Sequence, residues 1–589
     1  LKEISTTLIQ SRRCIDEFNQ IELLHDLSWD DYEKIWFIHI QVKLLSESMG
    51  IPYETEWYVT LPDEYPEGKV RVYPAIENGI SDTFYHQANN GEISANGLWR
   101  KGDLCLKDPL DDVAGIYEEP NDEFKLLWNI NRLLLWIDKA NKGELLSDGD
   151  FFELPDVRKN RTDLFIFDED EVSFMQWEDS SENSGIFSMK FIEDNKIFID
   201  TFRGLKGCIC KQTAWGSYVS EKKATDYIGI WMKLDKIPVI NQWQAPNTYG
   251  ELKKALELQG INLKELLLPL LDRIRDGKKH PLLIGFPIPE RIGDEQFCYH
   301  WWSCVLPVLS YNSNVENGFR PNKKGWIHRD FLRIFKDSMI LDWSRTENWN
   351  QNQIMCRGMF ERQITKNRFI IIGAGAIGSV IAEQLVRSGV WSISIMDGDL
   401  LSVGNLTRHT LTVNDIDKFK TVSLTERLNN INCHVRAKSL AYNLNMSNIE
   451  VLNDYDVIID CTAKDNVWNL LSRLKSTKII CSVSVGYKAE KMYFLYYKGN
   501  QFNINLFDKQ IIEHTDHDKQ EIINDELPWD GIGCWNPVFP AYYYDMQLAG
   551  TVATIALTDL IKKNDIEMVC FVYQKKYDEN GMFMGYERI

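Results

Sequence analysis

The sequence predicts an α/β multidomain chain: an N-terminal α+β unit, an α/β connecting domain and a C-terminal doubly wound, Rossmann-like domain. Three observations carry this expectation. A β-branched run, Phe369 to Ile372, leads directly into Gly373, Gly375 and Gly378. Near the N-terminus, strand-like segments follow one another in quick succession and close on a strongly amphipathic helix. A chain of 589 residues is also far longer than one hydrophobic core can serve.

The C-terminal domain is the most legible. Phe369 to Ile372 is too short for a helix and reads as a buried parallel strand. Gly373, Gly375 and Gly378 have the G-x-G-x-x-G spacing, which permits a tight turn and lets phosphate oxygens approach backbone N–H groups where a helix starts. That helix is expected over Ile377 to Arg387, closed by Gly389. A second strand, Ser392 to Met396, delivers Asp397 and Asp399 about twenty residues past the glycines, where a ribose-binding acid belongs. The glycines alone would suggest an NAD-dependent dehydrogenase. Asn405, Arg408, Lys420 and a strand Val457 to Asp460 with Asp465-Asn466 behind it favour a triphosphate instead. Cations neutralise such a ligand and a carboxylate holds its Mg²⁺, whereas a nicotinamide site needs neither.

This set resembles the adenylation domain shared by ubiquitin-activating enzymes and the sulfur-carrier-activating proteins of ThiF and MoeB type. The family's D-x-D, N-L-x-R, lysine and D-N are met by Asp397 and Asp399, Asn405 to Arg408, Lys420, and Asp465-Asn466. The resemblance implies ATP and Mg²⁺, with Asp399 on the ribose, Arg408 and Lys420 on the phosphates and Asp465 on the metal. Gly373, Gly375, Gly378, Asp397 and Asn405 complete the expected nucleotide set. Two departures stand out. His409 replaces the family's usual Gln, and two extra residues separate Asp460-Cys461-Thr462 from Asp465, so Asp460 is a rival for the metal.

A net charge of −20 disfavours nucleic-acid or anionic-membrane partners, which call for basic surface, and favours proteins. No run of eighteen apolar residues occurs and the N-terminus is polar, so a cytoplasmic protein with neither spanning helix nor secretory signal is expected. The twelve cysteines include no CxxC pair, and in that compartment they would remain thiols. Many sulfur-carrier-activating relatives bind zinc through two such pairs.

In chain order, residues 1 to about 30 read as a helix with Leu8, Ile9, Ile15 and Phe18 on its apolar positions. Strands are expected at Trp36 to Leu45, Glu54 to Leu61 and Val70 to Pro74. An irregular segment, His86 to Lys101, leads to Gly102-Asp103-Leu104-Cys105-Leu106, and a helix Phe124 to Lys142 closes the unit. Helix, meander, Pro62-x-x-Tyr65-Pro66, loop, Cys105 and helix resemble the ubiquitin-conjugating fold, whose cysteine carries an acyl group as a thioester. The family's H-P-N tripeptide is missing. His86, Asn89, Asn90 and Asn96 lie in the matching loop without its spacing, so the oxyanion donor stays open.

The connecting domain, 159–355, alternates strands such as Ile186 to Phe191, Ile197 to Phe202 and Pro281 to Phe286 with a helix Tyr249 to Gln259. Trp301-Trp302 mark a packed core, and Lys278-Lys279-His280 read as a solvated loop. Arg357 and Arg362 are candidates for an arginine that in dimeric relatives reaches the partner's ATP.

In the domain 356–589, a helix Val467 to Leu474 and a strand Lys478 to Val485 extend the sheet, and an acidic stretch from Asp508 to Asp525 breaks the periodicity. It ends at Gly533-Cys534-Trp535-Asn536-Pro537 before a helix Tyr543 to Leu560, a setting in which helix charge and exposure favour a thiolate. The G-C-x-x-P-x-F-P pattern resembles the catalytic cysteine of bacterial activating domains fused to conjugating domains. The order conjugating domain (1–158), connector, activating domain resembles the fused ubiquitin-transferase-like proteins of bacterial antiphage operons. That resemblance implies ATP-dependent activation of a protein C-terminus, relay through Cys534 and Cys105, conjugation to a protein amine and a homodimer, with a cGAS/DncV-like nucleotidyltransferase as acyl donor. Two readings remain beside it: a sulfur-carrier activator with a non-catalytic N-terminal binding module, and the dehydrogenase.

Overall fold

The structure, a computed structural model, describes residues 2–107, 118–193, 195–223, 225–312, 318–475, 477–530, 536–538 and 540–589. The chain forms two compact units, Leu1–Thr213 with Ala224–Asn350, and Ala214–Lys223 with Gln351–Ile589. No helix of the described residues is long and apolar enough to cross a membrane.

In the first unit, helix α1 (Thr6–Arg12) is capped by Ser5, whose Oγ accepts from the Leu8 N–H at 3.2 Å. A 3₁₀ turn ends at Glu17, well short of the helix expected to about residue 30. The reason is pairing: Ile21 and Leu23 lie opposite Val42 and Ile40 in an antiparallel ladder, and period two takes over from helical spacing. Strands β1 (Ile21–Asp30), β2 (Ile35–Lys43), β3 (Glu54–Leu61) and β4 (Arg71–Pro74) form a meander in chain order. Helix α2 (Lys125–Lys142) ends on Gly143 in the left-handed region at φ 72°. Its Leu126, Ile130, Leu133 and Ile137 pack with Trp57 and Val59 of β3 in one core.

Residues 75–107, which follow β4, are irregular but tethered. Isolated bridges join Ala75 to Trp99, Gln87 to Leu104 and Ile93 to Arg100. Its other face is pinned to chain that follows α2: Thr83 N–H donates to Asn241 O at 3.1 Å, and Asn89 Nδ2 to Ala245 O at 3.1 Å.

The same unit holds an eight-stranded mixed sheet. Its members are β5 (Leu164–Phe167), β6 (Ser184–Ile192), β7 (Lys196–Gly204), β8 (Ile209–Gln212), β9 (Ile228–Lys233), β10 (His280–Pro289), β11 (Gln296–Leu306) and β12 (Trp343–Asn348), in the order β5-β12-β11-β10-β9-β6-β7-β8. Trp301 and Trp302 are buried as expected, on opposite faces of β11 and in different cores. His280 is a correction. It opens β10 rather than a solvated loop and is buried, with Nδ1 2.6 Å from Ile228 O and Nε2 2.8 Å from Asp276, while Tyr227 stacks on its ring.

The second unit is built on β13 (Phe369–Ile372), β14 (Ser392–Met396), β15 (Arg436–Leu440), β16 (Val457–Asp460), β17 (Lys478–Val485) and β18 (Lys491–Gly499). Past a two-residue ladder of β19 (Trp529–Asp530) and β20 (Asn536–Pro537) come β21 (Met568–Tyr577) and β22 (Phe583–Arg588). The main sheet runs β15-β14-β13-β16-β17-β18-β21-β22, and its first five strands are parallel. Phe369 and Ile371 point into one core with α3 (Ala376–Arg387) and α6 (Tyr543–Lys563), while Ile370 and Ile372 point into the other with α4 (Asp465–Leu471). That is a doubly wound sheet with both faces covered.

The acidic stretch expected to be aperiodic is helix α5 (Ile504–Asn524). Phe507 is buried, but the other anchor is polar: Asp518, 7% exposed, accepts from Lys491 Nζ at 3.0 Å and Tyr493 Oη at 2.7 Å. A helix held by a buried carboxylate leaves little apolar periodicity to read.

Candidate functional site

Parallel register levels the carboxyl ends of the three central strands. Ile372 lies opposite Met396 on one side and Asp460 on the other, so Gly373, Asp397 and Cys461 meet at one edge, where the strand order reverses about β13. Each glycine there has its own reason. Gly373 takes φ 99°, Gly378 approaches so closely that a Cβ would stand 2.0 Å from Gly373 O, and a Cβ on Gly375 would meet nothing within 4 Å. Gly375 is also the N-cap of α3 and makes no side-chain cap, so the positive end of the helix faces the crevice.

A cavity of about 260 Å³ opens here. Gly373, Gly375, Asp397, Asp399, Lys420 and Asn466 line it, joined by Asn443, Thr462 and Lys464. The two acids behave differently. Asp397 is a brace: its Oδ2 accepts from the Ala374 N–H and its Oδ1 from the Asp399 N–H, both at 2.8 Å. Asp399 is the open carboxylate, with Oδ2 3.4 Å from Lys420 Nζ.

The N-L-x-R segment is a 3₁₀ turn, Val403–Thr407. Asn405 Oδ1 accepts from the Ser402 N–H and Oγ, both at 3.1 Å, so this side chain shapes the turn. Arg408 follows it half-buried, and burial pulls its guanidinium below the ordinary arginine value. It does not line the cavity. His409 takes over bracing work. Its Nδ1 accepts from the Leu411 N–H at 3.1 Å, which leaves Nε2–H to donate to Ala374 O at 2.7 Å. Asp397 and His409 thus hold the N–H and the carbonyl of the same glycine-loop residue. Burial pushes the His409 imidazole below its ordinary value.

The two metal candidates separate. Asp460 is wholly buried and accepts from Thr462 N–H (3.0 Å), Thr462 Oγ1 (2.7 Å), Trp468 Nε1 (2.9 Å) and Ser482 Oγ (2.9 Å). Its oxygens are spent on its own fold, and burial raises its pKa. Asp465 is exposed in the first turn of α4, on the wall of an adjoining cavity of about 1050 Å³ that Asp508 also lines. Burial, and then the Asp465 charge, raise the Asp508 carboxyl. Carboxylate oxygens on one cavity wall suit a hard divalent cation.

The N-terminal thiol is exposed. Cys105 Sγ donates to Lys107 O at 3.8 Å, and burial of part of the thiol, with Glu153 and Asp103 nearby, raises its pKa. Of the loop candidates, Asn89 is tied to Ala245 and Asn247, Asn90 donates to Ile80 O (2.9 Å) and Asp82 O (3.0 Å), and Asn96 pairs with Asp30. His86 alone sits beside the cysteine, its carbonyl accepting the Cys105 N–H at 2.8 Å. Cys534 lies outside the described residues. Arg357 and Arg362 are both exposed.

Sequence reasoning passed over Asn443 and Lys464. Asn443 shows no motif, and its Oδ1 reaches the crevice by accepting from the Gly398 N–H at 3.2 Å. Lys464 had a signal, since it belongs to the two extra residues before Asp465. Ala463 beside it takes φ 53°.

Comparison with known proteins agrees with this architecture. Residues 143–349 match the Cap2 central linker domain and residues 351–563 the ThiF family. The sulfur carrier protein ThiS adenylyltransferase of Bacillus subtilis is 38% identical over 110 residues, 18% of this chain and 32% of that protein. Among solved structures, E. coli MccB with ATP covers 59% of this chain and 83% of its own at 16% identity and a TM-score of 0.29, too slight a likeness to carry an argument. The ATP-dependent ubiquitin transferase-like protein Cap2 of Enterobacter hormaechei subsp. hoffmannii is 32% identical over 543 residues, 89% of each chain. With that match along its length, its linker and its ThiF domain, the chain belongs to the Cap2 family of ATP-dependent ubiquitin transferase-like proteins, and its C-terminal part is an adenylyltransferase domain of ThiF type.

Proposed function

We propose that this protein activates the C-terminal carboxylate of a partner protein with ATP and passes the acyl group through Cys534 and Cys105 to an amine. The observation that carries the first step is the crevice at the carboxyl ends of β13, β14 and β16, where the open Gly375, the uncapped helix end, Asp399 and Lys420 converge. Asp399 is suited to hold a ribose, and Lys420 with the N–H groups of α3 to hold phosphates. Asp397 and His409 keep the glycine loop in shape. Asp465, with Asp508 on the same cavity wall, would hold Mg²⁺, which neutralises phosphate charge when bound.

In this reading the carboxylate attacks the α-phosphorus of ATP, an acyl adenylate forms and pyrophosphate leaves. Arg408 and Lys420 stabilise the charge that develops. The Cys534 thiolate displaces AMP to give a thioester, Cys105 receives the acyl group by exchange, and an amine on a target protein displaces it to leave an amide. The family resemblance supplies the partners: a cGAS/DncV-like nucleotidyltransferase as acyl donor, and a second copy of this chain as dimer mate. We read the domains as 1–158 conjugating, 159–355 connecting and 356–589 activating.

ATP–pyrophosphate exchange with the partner protein present tests the first step. Exchange that needs both ATP and an intact partner C-terminus is expected. NAD binding without ATP binding would overturn the reading in favour of the dehydrogenase, and thiocarboxylate formation on the partner would favour the sulfur-carrier activator.

A further inference from the structure

Resting on the reading of Cys105 as an acyl carrier, we propose that His86, oriented by Glu153, is the proton acceptor at Cys105. The argument begins with register. The Gln87–Leu104 bridge is antiparallel, and it is flanked by Cys105 N–H donating to His86 O at 2.8 Å and Ala88 N–H donating to Asp103 O at 2.9 Å. His86 and Cys105 are therefore neighbours across this bridge, joined by that one backbone bond, and Glu153 reaches both the His86 ring and the surroundings of the thiol.

The backbone of His86 is held in an uncommon state for this task. Its φ is 55°, in the left-handed region that few non-glycine residues enter, and its N–H leaves the ladder to donate to Glu153 Oε2 at 3.0 Å. The same carboxylate oxygen stands 3.2 Å from His86 Nδ1. Glu153 thus accepts from the His86 backbone N–H and stands in ion-pair distance of its ring, on the Nδ1 side, which leaves Nε2 as the nitrogen turned from the carboxylate. Backbone strain is justified where surrounding contacts over-determine it, and a backbone bond and an ion-pair contact to one carboxylate do so here.

Cys105 needs such a base. Among the described residues, the charged groups around it are Glu153, Asp103 paired with Arg71 at 2.5 Å, and Lys107 paired with Glu119 at 3.3 Å. Both cations are matched by acids, and the thiol's own bond is to a carbonyl. This thiol rests protonated, unlike a cysteine activated by a neighbouring cation. When Cys105 takes the acyl group, its S–H proton passes to His86 Nε2 and Sγ attacks the donor thioester carbonyl. The new C–S bond forms, the old one breaks, and the donor sulfur leaves as thiolate. The imidazolium is stabilised by Glu153. Glu153 also lies where the stretch matched by the linker domain, 143–349, overlaps the end of the conjugating part.

Iodoacetamide alkylation of Cys105 in the full chain, followed by mass spectrometry of its peptide from pH 6 to 9, reads the thiol without any acyl chemistry. His86→Asn is the variant of choice because asparagine tolerates positive φ. It should alkylate about tenfold more slowly at pH 7 and follow an ordinary thiol titration. Glu153→Gln gives a test of sign. Removing a negative charge should by itself make the thiol more acidic and faster, whereas loss of the imidazole's partner should make it slower; we expect slower. Equal profiles for wild type and His86→Asn, or faster alkylation of Glu153→Gln, would overturn the proposal. A normal profile with no thioester ever detected at Cys105 would instead overturn the acyl-carrier reading and leave His86 no acyl transfer to serve.

Discussion

At the scale of single residues, the crevice separates side chains that touch a ligand from those that hold the loop. Asp399 and Arg408 belong to the first group in our reading. Asp399→Ala and Arg408→Ala should each cut ATP–pyrophosphate exchange by about 10²-fold or more, the usual cost of losing one group that meets charge as it develops. Full exchange in both would mean that the nucleotide lies elsewhere. Asp460 and Asp465 differ in kind. Asp465→Asn should lower exchange at limiting Mg²⁺ and recover as Mg²⁺ is raised. Asp460→Asn should instead lower the melting temperature, because an amide cannot accept from all four donors around it. Magnesium titrations and melts on both variants check this.

His409 gives a pH test. Its folded-state pKa is depressed by burial, so neutral imidazole is the form the fold prefers. The stability this contributes is present above the ordinary imidazole pKa and lost as pH falls through the depressed value. His409→Gln keeps a donor for Ala374 O and an acceptor for the Leu411 N–H without titrating. Melting temperatures from pH 8 to 5 should fall less steeply in this variant than in wild type. Parallel slopes would show that His409 does not carry the dependence.

At the scale of elements, α5 is the instructive case. It lies along the sheet by a buried Asp518–Lys491 pair, with Tyr493 Oη as a second donor. Gly486 permits that approach, since a Cβ there would stand 2.0 Å from Asp518 Oδ2. Asp518→Ala strands a lysine only 11% exposed in its side chain and should destabilise this unit by about 3 kcal/mol. A urea melt followed by tryptophan fluorescence measures it. By contrast, β13 and β16 have the bounds that their β-branched runs suggest, because strands buried on both faces write themselves as apolar runs. Strand β1 and helix α5 were hidden for opposite reasons: one borrows its register from β2, the other hangs on a polar anchor.

At the scale of the whole molecule, the relay we propose has an order. In sequence, Cys534 falls within the stretch that matches the ThiF family, and Cys105 precedes both matched stretches. Cys534 should load first. In Cys534→Ala, adenylate should form and neither thioester accumulate; in Cys105→Ala, a reducible thioester at Cys534 should persist without amide product. Non-reducing gels and intact mass read both. Charging of Cys105 in the first variant would mean direct transfer from the adenylate, and product from the second would make the N-terminal part a binding module.

What the sequence determined by itself is local. The glycine spacing, the D-x-D at a strand end and the runs of β13 and β16 follow from steric and hydrophobic rules that act within a few residues, so the crevice at these strand ends was legible before any fold was known. Only tertiary structure separates Asp460 from Asp465, one saturated and one exposed, because saturation of a carboxylate depends on Trp468 and Ser482 arriving from other elements. It likewise set His86 beside Cys105 and tied Asn89, Asn90 and Asn96 elsewhere. A hydrogen bond joins residues far apart in the chain, and no spacing rule records where its partner will be.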